Sequence, residues 1–376
     1  MFNNSPGLTE GNSQGYGVFI GHLDSGIDPH HPAFKGALQS YRFYDHKGIY
    51  DPMVEAHDAT GHGTVMAGLM AGRPTADWAG GLAPEAKLLV ATAIESGHHI
   101  ARILSALLWM LEEPVRIVNL SIGIPGWNPV FRPVIQALRQ KGVLVVASIG
   151  NGGAGHFHSP GAYPEVLSVG AAGESGKALP FSGSKNESFS CEKPDVLGLS
   201  SLPSVRRGGG MFEQNTGTSG ATAYVSGVAA QLMSLAPEAT ACQIAYALKS
   251  TALPLIPNQK HRSQTGLIQP AAAAELVKTL PVIERNNFNQ VFEIFRDAGL
   301  QHQMKYLPPE HYVPAIFYVR ANDSLHDFLH KTIIQEDAIS YSFLHEKYNY
   351  AFVTAMKKQW ESWWENEDVI MISPIV

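Results

Sequence analysis

The sequence predicts an open α/β fold over residues 1–279, followed by a small α+β appendage over residues 280–376. Three observations carry the first part. The stretch Tyr16-Gly17-Val18-Phe19-Ile20-Gly21-His22-Leu23-Asp24-Ser25-Gly26-Ile27-Asp28 is a short apolar strand that delivers Asp24 at its C-terminal end, just before a Ser-Gly turn. Open α/β sheets gather their chemistry at that end of their strands. Val143 to Ala147 is an almost pure valine-type strand ending in Ser148-Ile149-Gly150-Asn151-Gly152-Gly153, which puts an amide side chain on a flexible turn. Ala221 to Leu232 is nearly all small or apolar, as in a buried helix, and its N-terminus lies at Ser219.

Taken in chain order, these elements bring forward four polar residues. Asp24 ends the first strand, and His62 lies between two glycines in Thr60-Gly61-His62-Gly63-Thr64-Val65-Met66-Ala67-Gly68, at the start of another small-residue helix. Asn151 follows the valine-type strand. Ser219 sits in Asn215-Thr216-Gly217-Thr218-Ser219-Gly220-Ala221-Thr222-Ala223, where a glycine-loosened turn runs into the apolar helix. The free N–H groups and dipole at that helix end favour a developing negative charge. A hydroxyl is a weak nucleophile without a base, and His62 and Asp24 are a base and an acid in matching settings. Singly, each residue is more often a cap or a turn. Asp28 and Asp58 are spare carboxylates nearby, neither ending an apolar strand.

Through these blocks the chain resembles the subtilisin-like serine peptidases. The Asp-Ser-Gly, Gly-His-Gly-Thr and Gly-Thr-Ser blocks stand in that family's order, with the Ala-Ser-Ile-Gly-Asn block between the second and third. The resemblance runs from about residue 14 to 275 and takes in Gly80 to Ala86, Val118 to Gly123, Ser159 to Pro164 and Thr265 to Ile268. It implies a parallel sheet with helices on both faces. Ser219 would attack the scissile carbonyl, His62 would relay its proton to the leaving amine, and Asp24 would orient the imidazole. Asn151 and the Ser219 N–H would bind the oxyanion, about 3–4 kcal/mol per donor. A peptide substrate would lie as an added strand along Ser121, Ile122 and Gly123. The specificity pocket would be walled by those residues and by Ser148, Ile149 and Gly150. His158 near its base would shorten it, favouring a small polar or acidic side chain; His98-His99 would lie on the cleft rim.

Departures from the family pattern matter too. Gly220-Ala221-Thr222-Ala223-Tyr224 stands where the family usually has Met-Ala-Thr-Pro-His, and Gly220 costs its helix roughly 1 kcal/mol relative to alanine. Ala33 occupies the place of an aspartate in the family's strong calcium site, and Gly72 to Trp78 lacks the Asn-rich character that supplies hard oxygen ligands. No metal and no cofactor are expected.

Composition sets the partners. The chain has 376 residues, 45% hydrophobic and 16% charged, with a formal net charge of -6, which argues against a nucleic-acid partner. Its two cysteines, Cys191 and Cys242, do not make a disulfide framework. No 18-residue apolar run suggests a membrane span, and Met1 to Gln14 is polar rather than a signal peptide, so the expected location is the cytoplasm. Secreted members of the family usually bring a folding propeptide, whereas only about 15 residues precede the first strand here, so either a propeptide has been removed or the enzyme is expected to fold unaided. An unguarded cytoplasmic protease has to be selective, as are the family's proteases that cut leaders from ribosomal natural-product precursors. Two other functions fit the same scaffold. A peptide ligase or macrocyclase would need water excluded by an added lid, and only 37 residues separate Asp24 from His62. A non-catalytic binding protein would have no use for the complete set of four.

From about Leu280 charged and aromatic residues rise and small ones fall. Phe288 to Phe295 has helical apolar spacing, and Ser324 opens a second helix. Val313 to Val319, Tyr348 to Ala355 and Val369 to Ile372 read as strands. Trp360, Trp363 and Trp364 share one helical face, either packing on the first domain or forming a docking surface for substrate or partner.

Overall fold

The computed structural model describes residue 8 and residues 14–95, 99–173, 175–184, 193–212, 217–256 and 262–280, together with the backbone of four strands between residues 312 and 374. The first described region alternates strands and helices: β1 (Phe19–Asp24), β2 (Leu38–Phe43), α1 (His62–Ala71), β3 (Lys87–Thr92), α2 (His99–Glu112), β4 (Ile117–Leu120), β5 (Ile124–Pro125), α3 (Arg132–Gln140), β6 (Leu144–Ser148), β7 (His158–Ser159) and β8 (Leu167–Ala172). It continues with β9 (Val196–Leu199), β10 (Ser204–Val205), β11 (Met211–Phe212), α4 (Thr218–Leu235), α5 (Ala241–Ser250) and α6 (Pro270–Thr279).

Seven strands form one sheet in the order β2-β3-β1-β4-β6-β8-β9, and every pairing in it is parallel. Its central strands are apolar on both faces, the pattern of a parallel sheet covered on both sides. Ile20, Ile117, Val146 and Val169 point into a core layer shared with α1, α4, α5 and α6. Leu23, Val118 and Val145 point the other way, into a layer shared with α2 and α3. Each such side chain, fully buried, contributes roughly 1.5–3 kcal/mol of transfer free energy. Helix α4 is buried along nearly its whole length, which explains why its sequence is apolar all round rather than amphipathic.

The order of strands places the site. After β1 the chain fills one edge with β2 and β3, then crosses to β4 and builds the other edge. The reversal falls at β1, and a crevice opens at the C-terminal ends of strands on either side of such a point. Asp24 is the last residue of β1. In the C-terminal region, β12 (Tyr312–Val319), β13 (Ser340–His345), β14 (Tyr350–Met356) and β15 (Val369–Pro374) form an antiparallel sheet in the order β13-β14-β12-β15. The helices expected at Phe288 and Ser324 and the tryptophan-rich segment at Trp360 lie outside the described residues.

Candidate active site

Asp24 is fully buried at the end of β1. Its Oδ1 accepts the Ser25 N–H at 2.7 Å and the Nδ1–H of His62 at 2.6 Å. The neighbouring carboxylate raises the His62 imidazole above its ordinary pKa, its charge outweighing the opposing effect of burial. Bonding through Nδ1 leaves Nε2 as the free basic nitrogen in the neutral ring.

His62 is the first residue of α1, and its turn is held by Asp58. Asp58 Oδ1 accepts Ser25 Oγ at 2.7 Å and the Gly61 N–H at 2.8 Å, while Oδ2 accepts the Thr64 N–H at 2.7 Å and its hydroxyl at 2.5 Å. Burial alone would push this carboxyl up, but the Thr64, Ser25 and Gly61 donors more than offset it, and its pKa lies below the ordinary value. The carboxylate thus satisfies N–H groups that the start of a helix leaves unpaired. Ser25 Oγ in turn accepts the Gly63 N–H at 2.9 Å, clasping β1 to the first turn of α1.

Ser219 is the second residue of α4, after Gly217, whose φ of 128° lies in a region that side-chain-bearing residues rarely adopt. Its hydroxyl donates to the Ser121 carbonyl at 2.9 Å, and Ser121 Oγ donates to the Ser219 carbonyl at 3.0 Å. The nucleophile candidate is therefore paired with the strand end expected to carry substrate, and its proton points there rather than at the imidazole. Asn151 is exposed beside this turn. Its Oδ1 accepts both the N–H and the hydroxyl of Thr218, at 2.8 and 3.0 Å. Because a backbone N–H only donates, the amide's orientation is determined, and Nδ2 is left as the outward donor.

The remaining expected residues fall around this centre. Ile122 and Gly123 line a cleft of about 280 Å³ beside His62, together with Ile94, Ile103, Ile124 and His99; His98 lies outside the described residues. Ser148 Oγ donates to the Ile122 carbonyl at 3.4 Å, linking the two expected walls. Ile149 is fully buried with Phe157 and Ala162, so it supports the wall from behind. His158 is paired with Pro125 in the β5–β7 ladder, which carries it between Gly123 and Gly150. A Cβ placed on Gly150, where φ is 102°, would stand 2.6 Å from the His158 ring, and one on Gly123 would stand 2.8 Å from His158 Cβ. Desolvation lowers the His158 pKa. His156 is exposed.

Two contributors escaped sequence reasoning. Asp58 had been set aside for not ending a strand, yet an aspartate four residues ahead of a helix-opening histidine is an N-terminal anchoring signal. His22 is fully buried in β1. A lone histidine in an apolar strand, two positions before Asp24 and so on the same face, was the available clue.

A parallel sheet that gathers an Asp–His pair and a helix-N-terminal serine at one end has the architecture of a serine endopeptidase. The chain belongs to the subtilase family of S8 peptidases, whose sequence profile matches residues 15–288. It is 30% identical over 289 residues to the subtilisin-like protease PopC of Myxococcus xanthus, a match covering 68% of this chain and 59% of PopC. It is 32% identical over 232 residues to the intracellular serine protease of Paenibacillus polymyxa, covering 60% of this chain and 69% of that relative. Among solved structures, the protease domain of PatA superposes with a TM-score of 0.62 at 26% identity, covering 73% of this chain and all of that domain (100%). The prenylagaramide maturation protease PagA does so with a TM-score of 0.59 at 27% identity, covering 69% of this chain and 94% of PagA. No helix among the described residues is long and apolar enough to cross a membrane.

Proposed function

We propose that this subtilase cleaves a dedicated precursor peptide, with Ser219 as nucleophile, His62 as general base and then acid, and Asp24 as the group that orients the imidazole and stabilises its charged form. The 2.6 Å Asp24–His62 bond is the observation that carries the reading. As the Ser219 hydroxyl turns from the Ser121 carbonyl to His62 Nε2, its proton passes to the ring while oxygen attacks the scissile carbonyl. The imidazolium formed is stabilised by the buried carboxylate and then protonates the leaving amine. The Asn151 amide and the Ser219 N–H take the oxyanion. Water then hydrolyses the acyl-enzyme and restores Ser219.

Substrate binds extended along Ser121 to Gly123. An apolar side chain upstream of the cut enters the isoleucine-walled cleft. The residue just before the cut meets a pocket floored by His158 between Gly123 and Gly150, which suits a small polar side chain. A precursor-peptide substrate is supported by the similarity to PagA, a maturation protease, and to patellamide maturation protease PatA, which superposes with a TM-score of 0.60 at 27% identity. A cytoplasmic setting is supported by the similarity to intracellular serine proteases. Residues 280–376 form a separate α+β unit in this reading, one that helps select or dock the substrate.

The test is mass spectrometry of a diverse peptide library incubated with the protein and, in parallel, with Ser219→Ala. Defined cuts after small polar residues by the wild type alone are expected. Equal cutting by both proteins, or failure of Ser219 to react with a small fluorophosphonate, would overturn the assignment.

A further inference from the structure

His22 takes no part in the chemistry above, yet it is buried without exposure in the strand that ends in Asp24. An imidazole in such a place is tolerated only if its nitrogens are bonded. His22 Nε2 lies 3.0 Å from the Gly63 carbonyl. A carbonyl only accepts, so Nε2 carries the proton. Desolvation holds the ring's pKa below its ordinary value against the raising effect of Asp24 and Asp58, with His62 acting in the same direction as burial. The ring is therefore neutral and its Nδ1 is a bare acceptor. Facing it at 3.4 Å is the Asn119 amide nitrogen, which also donates to Ser121 Oγ at 3.0 Å. The other end of that amide, Oδ1, accepts Ser226 Oγ at 2.9 Å. Ser121 Oγ, having received from Asn119, passes its own proton to the Ser219 carbonyl.

Every donor and acceptor in this chain of bonds has one role. It joins four elements: α1 at the Gly63 carbonyl next to His62, the strand of Asp24, β4 with the Ser121 that follows it, and α4 at both Ser219 and Ser226. We propose that His22, as the neutral Nε2–H tautomer, is a positioning residue that locks the first turn of α1 to the Ser121 strand and thereby sets the separation of His62 from Ser219. The inference rests on the assignment of Ser219 and His62 made above. Losing the His22 bridge leaves the Gly63 carbonyl and the Asn119 amide each short of a partner. A shift of an ångström between base and nucleophile is enough to slow the reaction about a hundredfold.

The test follows phosphonylation of Ser219 by a small fluorophosphonate, separating the maximal inactivation rate kinact from the half-saturation constant KI, so no natural substrate is required. His22→Leu removes both bonds at similar volume, and His22→Gln can donate to Gly63 and accept from Asn119 at once. We expect His22→Leu to lower kinact at least about tenfold with KI within about twofold, and His22→Gln to restore most of the rate. Ser226→Ala, which leaves the His22 bonds in place, is expected to lower kinact in the same manner by a smaller factor, and it serves if His22→Leu does not fold. Nitrogen-15 NMR of the wild type is expected to show the Nε2–H tautomer. A wild-type kinact in His22→Leu, a glutamine variant no better than leucine, or an Nδ1–H signal would overturn the proposal. Absence of labelling in the wild type would instead overturn the assignment of Ser219.

Discussion

The two halves of the site are built differently. On one side Asp24, Asp58 and Ser25 are all buried, and they hold His62 through a continuous set of short bonds that includes the 2.6 Å Asp24–His62 contact. On the other, Asn151 is exposed and Ser219 is half-buried, with the serine hydroxyl donating to the Ser121 carbonyl. The Asp24–His62 half is held by buried partners, while Ser219 and Asn151 are partly or fully open to solvent. Charge has to be shielded from water to tune a base, whereas an oxyanion donor has to be reachable by the substrate.

The contrast breaks most sharply at Asp24. Replacing it with asparagine is expected to lower kcat about 10⁴-fold through the wrong imidazole tautomer. In the wild type the raised His62 pKa means that kcat/KM, which needs the neutral ring, rises with pH through a midpoint above the ordinary 6.5. A pH–rate profile of Asp24→Asn should show any residual midpoint moved down, because the carboxylate is the main raising influence.

Asn151→Ala probes the open half. The expected loss is about 10²–10³ in kcat with little change in KM, since the amide meets the oxyanion only in the transition state. Because Asn151 Oδ1 also accepts from the N–H and hydroxyl of the buried Thr218, a stability loss of about 1–3 kcal/mol should accompany it, read separately by denaturant titration.

Asp58→Ala probes the locked half through stability. Leaving the buried N–H and hydroxyl donors unmatched should cost about 1–3 kcal/mol by denaturant titration at pH 7. The folded pKa of Asp58 lies below its ordinary 3.8, so its contribution is present above that value and fades as pH falls through the folded pKa. The variant should therefore lose stability less steeply than the wild type on acidification below about pH 4. The smallest effect is expected at the pocket floor. His158→Ala should shift the preferred residue before the cut towards larger apolar side chains by about tenfold in relative kcat/KM, the scale of a pocket contact.

Much of this was legible from residue order. Asp24 reads as a strand end and His62 and Ser219 as helix starts, because short-range pattern sets strand, turn and cap. The partnership of Ser121 with Ser219 was not legible, since those residues are 98 positions apart and meet only when β4 and α4 pack. Asp58 ends no strand, and its bond to Ser25, which spans 33 positions, forms only when β1 and the turn before α1 pack. His158 was placed near the pocket base only through the family resemblance, and the β5–β7 pairing is what shows that it lies between two glycines.

By itself the sequence determined the class of fold, the chemical identities at the strand and helix ends, and membership of the subtilase family, because periodicity, glycine turns and block order are local properties of the chain. Tertiary structure alone decided which nitrogen of His62 faces Asp24, which end of Asn151 is free to donate, and how His22 joins α1 to the Ser121 strand. Those choices depend on hydrogen-bond partners that are remote in sequence, and a buried polar group takes its orientation from the partners that folding brings within about 3 Å of it.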